Sequence, residues 1–275
     1  MTVHRARGPL EPGARSVIER LRHGSRAGHD LLRIASYNIH GCVGADSRYD
    51  VERVAQVICE LGCDTIGLQE VDCRPGMMTD SMQLEFLASS TGMTAVGSVM
   101  RVGSGQHYGN ALLTLREVLA VRQYDVTFKG CEPRTLLDVA LRACGSVVRV
   151  IVTHLGSRAA ERRFQVRKIL TLLRTLPAGQ PAVILGDMHE WLPVGRPLRW
   201  LHRMLGRPPA QRSFPVWAPV LALDRLWTRA PARVLALEAH RTARSRQASD
   251  HYPVKAVIVP DSLGRRSQLR CLDAL

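Results

Sequence analysis

The amino-acid sequence predicts an α/β fold built on mixed β-sheets. Three observations lead there. Short apolar stretches alternate with segments of helical periodicity. Several of the apolar stretches follow one another with no helix between them. The chain also has 275 residues at 45% hydrophobic content, enough to bury a large core as one sizeable domain or two small ones. Strict strand–helix alternation would give a purely parallel, doubly wound sheet. Consecutive strands need antiparallel pairing, so mixed sheets fit better.

Taken in order, residues 1–29 read as a basic N-terminal extension with an amphipathic turn or two around Val17, Ile18 and Leu21. The main domain runs from 30 to 260 and a tail from 261 to 275. "LLRIASYNI" (31–39) reads as a strand, "YDVERVAQVICELG" (49–62) as a helix with Asp50 as N-cap, and "DTIGLQEV" (64–71) as a buried strand. A helix follows at 82–90, then strands near 93–99, 109–115, 119–127, 135–142 and 147–154. "AAERRFQVRKILTLLRTL" (159–176) has helical periodicity, "AVILG" (182–186) reads as a strand and "RPLRWLHRML" (196–205) as a short helix. Strands near 223–229, 233–239 and 253–259 complete the core. "HRTARSRQASDH" (240–251) reads as a loop.

Composition narrows the class. No apolar run reaches the roughly 18 residues that a bilayer span needs, and the N-terminus lacks the apolar region of a secretory signal, so a soluble protein is expected. Seven cysteines are scattered rather than clustered, and Cys59 and Cys63, four apart on a predicted helix, lack the paired spacing of a zinc site. Reduced thiols and a cytoplasmic location follow. The formal net charge is +14, with only three lysines among 38 basic residues. Between Arg196 and Arg246, eleven arginines stand against Asp224 and Glu238, a local +9 (11 − 2). Such a segment favours phosphate-bearing ligands; a solvated face with no dedicated ligand is the alternative.

Polar residues recur where these strands begin or end. Asn38 closes the first strand, Glu70 ends "TIGLQE", His154 ends "VVRVIVTH", Asp187 ends "AVILGD", and Asp250 with His251 precede "YPVKAVIV". Each has an ordinary reading alone: a turn residue for Asn38, a core histidine for His154, a helix or turn cap for Asp187 and Asp250. Five separate occurrences favour a common site. Glu70, Asp187 and Asp250 supply hard oxygen donors and Asn38 a neutral carbonyl, a set suited to Mg²⁺ or Mn²⁺. Histidines nearby can donate to a phosphoryl oxygen or transfer a proton. This is the inventory of metal-assisted phosphoester hydrolysis.

The blocks "ASYNIHG", "DTIGLQEVD", "YGNALLT", "VTHLG" followed by "ERRFQ", "ILGDMHEW", "LALDRLW" and "SDHYPV", in that order from about Leu31 to Val259, resemble the endonuclease/exonuclease/phosphatase superfamily. That superfamily includes DNase I, AP endonucleases, bacterial sphingomyelinases and inositol polyphosphate 5-phosphatases. The resemblance implies a four-layer α/β sandwich, two packed mixed sheets flanked by helices. It also implies that Glu70 is the principal metal ligand, with Asn38 beside it and Asp250 available. Asp187 would align or activate the attacking water, His251 would meet the scissile phosphate with Asp224 orienting it, and His154 would be the second histidine there. Asn110 matches a polar family position. Arg134 is open between an anionic substrate and an ion pair.

One block departs from the pattern. The family has Gly-Asp-Phe-Asn where this chain has Gly186, Asp187, Met188 and His189. Imidazole is a softer donor than an amide oxygen and can titrate, so His189 is expected to retune metal choice, to replace the amide's contact or to mark a weakened enzyme. Three functional classes follow: a nuclease acting on DNA or RNA first, a phosphodiesterase or phosphatase for a phospholipid or inositol phosphate headgroup second, and a noncatalytic phosphate-binding module third.

Overall fold

The structure, a computed structural model, describes residues 3–4, 31–73, 82–102 and 106–260. The expected amphipathic turn near Val17 and the tail at 261–275 lie outside the described residues. In chain order the elements are β1 (Val3–His4), β2 (Leu32–Asn38), α1 (Val51–Leu61), β3 (Thr65–Cys73), α2 (Met82–Thr91), β4 (Thr94–Val102), β5 (Gln106–Thr114), β6 (Glu117–Asp125) and β7 (Thr135–Ala143). Then come β8 (Ser146–His154), α3 (Ala159–Thr175), β9 (Ala182–Asp187), α4 (Arg196–Leu205), β10 (Asp224–Arg229), β11 (Arg233–Ala239), α5 (Ala243–Ala248) and β12 (Val254–Val259).

Two mixed sheets result. One has the order β1-β4-β5-β3-β2-β12-β11, the other β10-β9-β8-β7-β6. Two strand pairs are parallel, β2 with β3 and β8 with β9, and each pair is joined through a helix, α1 or α3. A parallel pair needs such a crossover, whereas the antiparallel pair β7–β8 is closed by a tight turn at Cys144 and Gly145. Leu32, Ile34, Leu112, Leu137, Val139, Val150, Leu185 and Ile258 fill the space between the sheets. Ala55, Ile58 and Leu87 pack α1 and α2 on the outer face of the first sheet, and Val166, Ile169, Leu173 and Leu201 pack α3 and α4 on the second. The layers therefore run helix, sheet, sheet, helix, as the resemblance implies.

Local chemistry explains the boundaries. Asp50 caps α1, its side chain accepting from Arg53 N at 2.8 Å, and Gly62 takes the left-handed conformation that ends it. β9 is buried along its whole length because it lies between the other sheet and the helices, which is why its sequence reads as unbroken apolar residues. The segment expected as a loop at 240–251 contains α5. Six residues are too few to show a periodicity, but Thr242 and Ser245 form a reciprocal capping box that starts it.

Candidate active site

Strand register assembles one half of the site. His154 stands opposite Asp187 across the parallel β8–β9 pair, and Asp187 stands opposite Asp224 across the antiparallel β9–β10 pair. All three side chains therefore sit in one row at one end of the sheet. Gly186 makes the row possible: its φ is +145°, and a Cβ there would lie 1.8 Å from the Thr153 carbonyl oxygen. The chain then turns, with His189 N donating to Asp187 Oδ1 at 2.8 Å and Met188 N to the Leu223 carbonyl at 2.9 Å.

The other sheet brings Asn38 and Glu70. Asn38 ends β2; Glu70 lies in β3 where the pairing with β5 shifts register between Leu68 and Val71, and it adopts φ +57°. Left-handed backbone is costly for a side chain with a Cβ, and bulges of this kind re-aim side chains at functional rims. Asn38 Nδ2 donates to Glu70 Oε1 at 2.9 Å and to Asp187 Oδ2 at 3.2 Å, so one amide bridges acids from the two sheets. Its carbonyl oxygen accepts from His40 N at 3.0 Å. Asn38 thus meets the carboxylates through nitrogen in this arrangement, where the sequence led us to expect its oxygen.

Three imidazoles surround Asp187 Oδ2, with the Nε2 atoms of His189, His154 and His251 at 3.5, 3.7 and 3.7 Å. Their other nitrogens distinguish them. Asp224 Oδ2 is 2.8 Å from His251 Nδ1, and Ser213 Oγ donates to the same carboxylate oxygen. Burial alone would lower the His251 pKa, but the negative charges of Asp224, Asp187 and Asp250 and the hydrogen bond that the ring donates to Asp224 outweigh it and raise it to about 10. His251 is therefore an imidazolium at neutral pH. Arg134 Nη1 donates to His154 Nδ1 at 2.8 Å. Burial first, and then the Arg134 charge, hold His154 well below the usual imidazole range. A neutral ring that accepts at Nδ1 carries its proton on Nε2, so His154 presents an N–H. His189 shows the opposite tautomer: its Nδ1 is 2.8 Å from the Leu155 carbonyl, which can only accept, so in the neutral ring the lone pair lies on Nε2.

These tautomers set which ring nitrogens of the cluster donate and which accept. His154, Asp187 and His189 have donor atoms close enough for a shared ion, as do Asp187, Asp224 and His251. A protonated His251 and an Nε2–H on His154 are donors, not ligands. His189 Nε2 and the carboxylate oxygens of Asp187 and Glu70 are the acceptors that remain. Asp250 is half-buried and lies 3.9 Å from His40 Nδ1. Asn110 is buried and ties the sheets together by donating to the Thr135 carbonyl at 2.8 Å.

Sequence reasoning missed Ser213, which orients Asp224, and Ser249, which donates to the Asn38 carbonyl at 2.7 Å and accepts from His251 N at 3.1 Å. Ser249 opens the "SDHYPV" block but carries no expected role there; nothing in the sequence around Ser213 marks it. Arg134 holds His154 and also pairs with Glu132 at 2.8 Å.

The family model for the endonuclease/exonuclease/phosphatase family matches residues 35–251. The uncharacterized protein YbhP of Escherichia coli (strain K12) is 28% identical over 245 residues, covering 82% of this chain and 96% of that protein. An endonuclease/exonuclease/phosphatase from Beutenbergia cavernae superposes with a TM-score of 0.70 at 21% identity, covering 84% of this chain and 72% of that one. The mannosyl-6-phosphatase Bt3783 of Bacteroides thetaiotaomicron gives 0.66 at 17%, over 83% and 99%. Danio rerio TDP2 complexed with single-strand DNA product gives 0.62 at 16%, over 83% and 98%. Among the described residues no helix is long and apolar enough to cross a membrane.

Proposed function

Because the chain belongs to the endonuclease/exonuclease/phosphatase family, whose members hydrolyse phosphoester bonds, we propose that it is a divalent-metal-dependent phosphodiester hydrolase. One observation carries this reading: carboxylates from two sheets, Glu70 and Asp187, converge on a single amide nitrogen with imidazoles in different protonation states beside them. Two acids this close call for a cation, and hard oxygen donors with one nitrogen fit a divalent one. Glu70 would hold it, with Asp187, His189 and Asp250 at hand. A bound Mg²⁺ or Mn²⁺ supplies Lewis-acid polarisation of a phosphoryl oxygen and a more acidic water. The chain's own groups do the rest. Asp187 orients a water and accepts its proton, the His154 Nε2–H donates to a phosphoryl oxygen, and the His251 imidazolium donates to the oxygen on which charge develops.

Nucleic acid is the first substrate class, supported by the basic segment that begins at Arg196. The solved neighbours do not choose for this chain: one is a sugar phosphatase, another is bound to DNA product. A phospholipid or inositol phosphate headgroup is the second class, favoured by the apolar loops at the rim of the site. The free thiols Cys59, Cys63 and Cys131 support a reducing, cytoplasmic location. The test is a hydrolysis screen with Mg²⁺, Mn²⁺ or chelator, pairing DNA and RNA with phospholipid and inositol phosphate substrates. Metal-dependent release from one class is expected; undiminished turnover in saturating chelator overturns the metal assignment.

A further inference from the structure

Two loops leave the site at the same end of the second sheet. The first follows His189 out of β9, and the second, residues 213–223, leads into β10, the strand beside β9. Both are built projections. Gly195 N donates to the Leu192 carbonyl at 2.9 Å in the first, and Leu192 N reaches the buried Glu190 at 3.3 Å. In the second, Phe214 and Leu221 form a β-bridge, Val216 N donates to the Asp250 carbonyl at 3.0 Å, and the Phe214 ring lies 4.7 Å from that of His251.

The tips of these loops are apolar and open to solvent. Trp191, Leu192, Val194, Trp217 and Val220 are 63–74% exposed, whereas the other exposed large hydrophobics among the described residues are at 36–41%. Among the described residues, the most exposed large apolar side chains thus fall on two loops that lead out of β9 and into its neighbour β10, flanking the acids and histidines. Apolar residues clustered in this way mark an interaction surface, not chance exposure. The charge around them is one-sided. From Trp191 to Leu223 the chain has five arginines, Arg196, Arg199, Arg203, Arg207 and Arg212, and no acid. All five are exposed.

We propose that these loops seat on an anionic lipid surface, placing the site at a membrane interface. Tryptophan prefers the headgroup boundary, leucine and valine the acyl chains, and flanking arginines the anionic headgroups. Bases of single-stranded nucleic acid stack on aromatic rings but gain little from Leu192, Val194 and Val220, so the aliphatic half of the patch selects lipid. The inference rests on the phosphoester-hydrolase reading and deepens its second, headgroup form; the docking itself does not depend on catalysis.

The experiment is therefore a binding measurement in chelator, where no metal-dependent turnover occurs. The full chain is sedimented with phosphatidylcholine vesicles with and without about 30 mol % phosphatidylglycerol, and tryptophan fluorescence is followed with brominated acyl chains in the bilayer. Binding to the anionic vesicles with quenching is expected. The Trp191→Ser/Leu192→Ser and Trp217→Ser/Val220→Ser variants, shown by circular dichroism to keep the wild-type fold, should each bind about tenfold less. Absence of vesicle binding, or equal binding by both variants, overturns the proposal. So does quenching by a single-stranded oligonucleotide in place of vesicles, or a self-associated species that both variants abolish. Vesicle binding without hydrolysis of any phosphoester would sink the enzymatic reading and leave the docking surface standing.

Discussion

At the scale of single residues, the site works by giving like side chains unlike partners. His251 is held positive by Asp224 and His154 neutral by burial and then by Arg134, although both rings reach the same oxygen of Asp187. Environments that separate the states of like groups mark acid and base assignments. Because the His251 pKa of about 10 lies above the ordinary 6.5, its pairing contributes stability that is full below about pH 6.5 and is lost as pH rises through about 10. Asp224→Asn should therefore lower the melting temperature of chelator-treated protein most at low pH and converge on the wild type above pH 10; a deficit that widens with pH would refute the pairing. Glu70→Ala removes the principal anionic ligand, and a loss of about 3 kcal/mol of transition-state stabilisation slows turnover by over a hundredfold. The same change removes no core contact, so the thermal melt should persist. His189→Asn restores an amide and deletes a nitrogen donor. The variant should keep or gain Mg²⁺ activity and bind Mn²⁺ more weakly by calorimetry; collapse of both in a folded variant would give His189 an irreplaceable role. The acids and histidines were legible in the sequence because each closes or opens an apolar strand. Arg134 was visible only as open between an anionic substrate and an ion pair, and Ser213 not at all, since only the folded chain brings them from separate segments to His154 and Asp224.

At the scale of elements, the polar row is only as good as the register that aligns it. His154, Asp187 and Asp224 face one another because β8, β9 and β10 pair without a slip. Gly186 is the tightest point of that pairing. Gly186→Ala would set a Cβ 1.8 Å from a backbone oxygen at a φ that disfavours any side chain, so β9 must shift or twist. Overpacking of this kind costs about 1–3 kcal/mol, and more where backbone must move. At roughly 2–4 °C per kcal/mol for a domain of this size, the melting temperature should fall by about 5 °C or more, with activity lost in the fraction that remains folded. A variant with unchanged melt and turnover would show that the row tolerates displacement. Strands and long helices were readable from periodicity, and the consecutive strands with no helix between them foretold mixed sheets. α5 was not readable: six residues, four of them polar, carry no pattern, and its capping box lies in what the sequence presents as a basic loop.

At the scale of the whole molecule, the basic charge proves to be less a uniform field than its total suggests. Arg225 is buried against the Ala222 carbonyl, Arg229 donates to the Pro177 and Gln180 carbonyls, Arg244 pairs with Glu60, and Arg241 donates to the Arg212 carbonyl while lying over the Tyr252 ring. These guanidiniums are engaged in the fold. The acid-free stretch with Arg196, Arg207 and Arg212 instead borders the apolar loops. The two sets make opposite predictions for polyanion binding. Replacing Arg241, Arg244 and Arg246 together by Ser should flatten the salt dependence of nucleic-acid binding by no more than about one phosphate contact, roughly 0.7 to 0.9 in log–log slope. Replacing Arg196, Arg207 and Arg212 should remove about two to three such contacts and weaken binding to anionic vesicles, at about 1 kcal/mol for each basic residue near the surface. Titrations at several ionic strengths, with oligonucleotide and vesicle measured on the same two variants, separate the alternatives. If the first triple proves the more damaging on both ligands, the polyanion lies over α5 and away from the loops. If the second triple weakens vesicle binding and leaves the oligonucleotide slope untouched, the arginines beside Trp191 and Trp217 serve lipid alone.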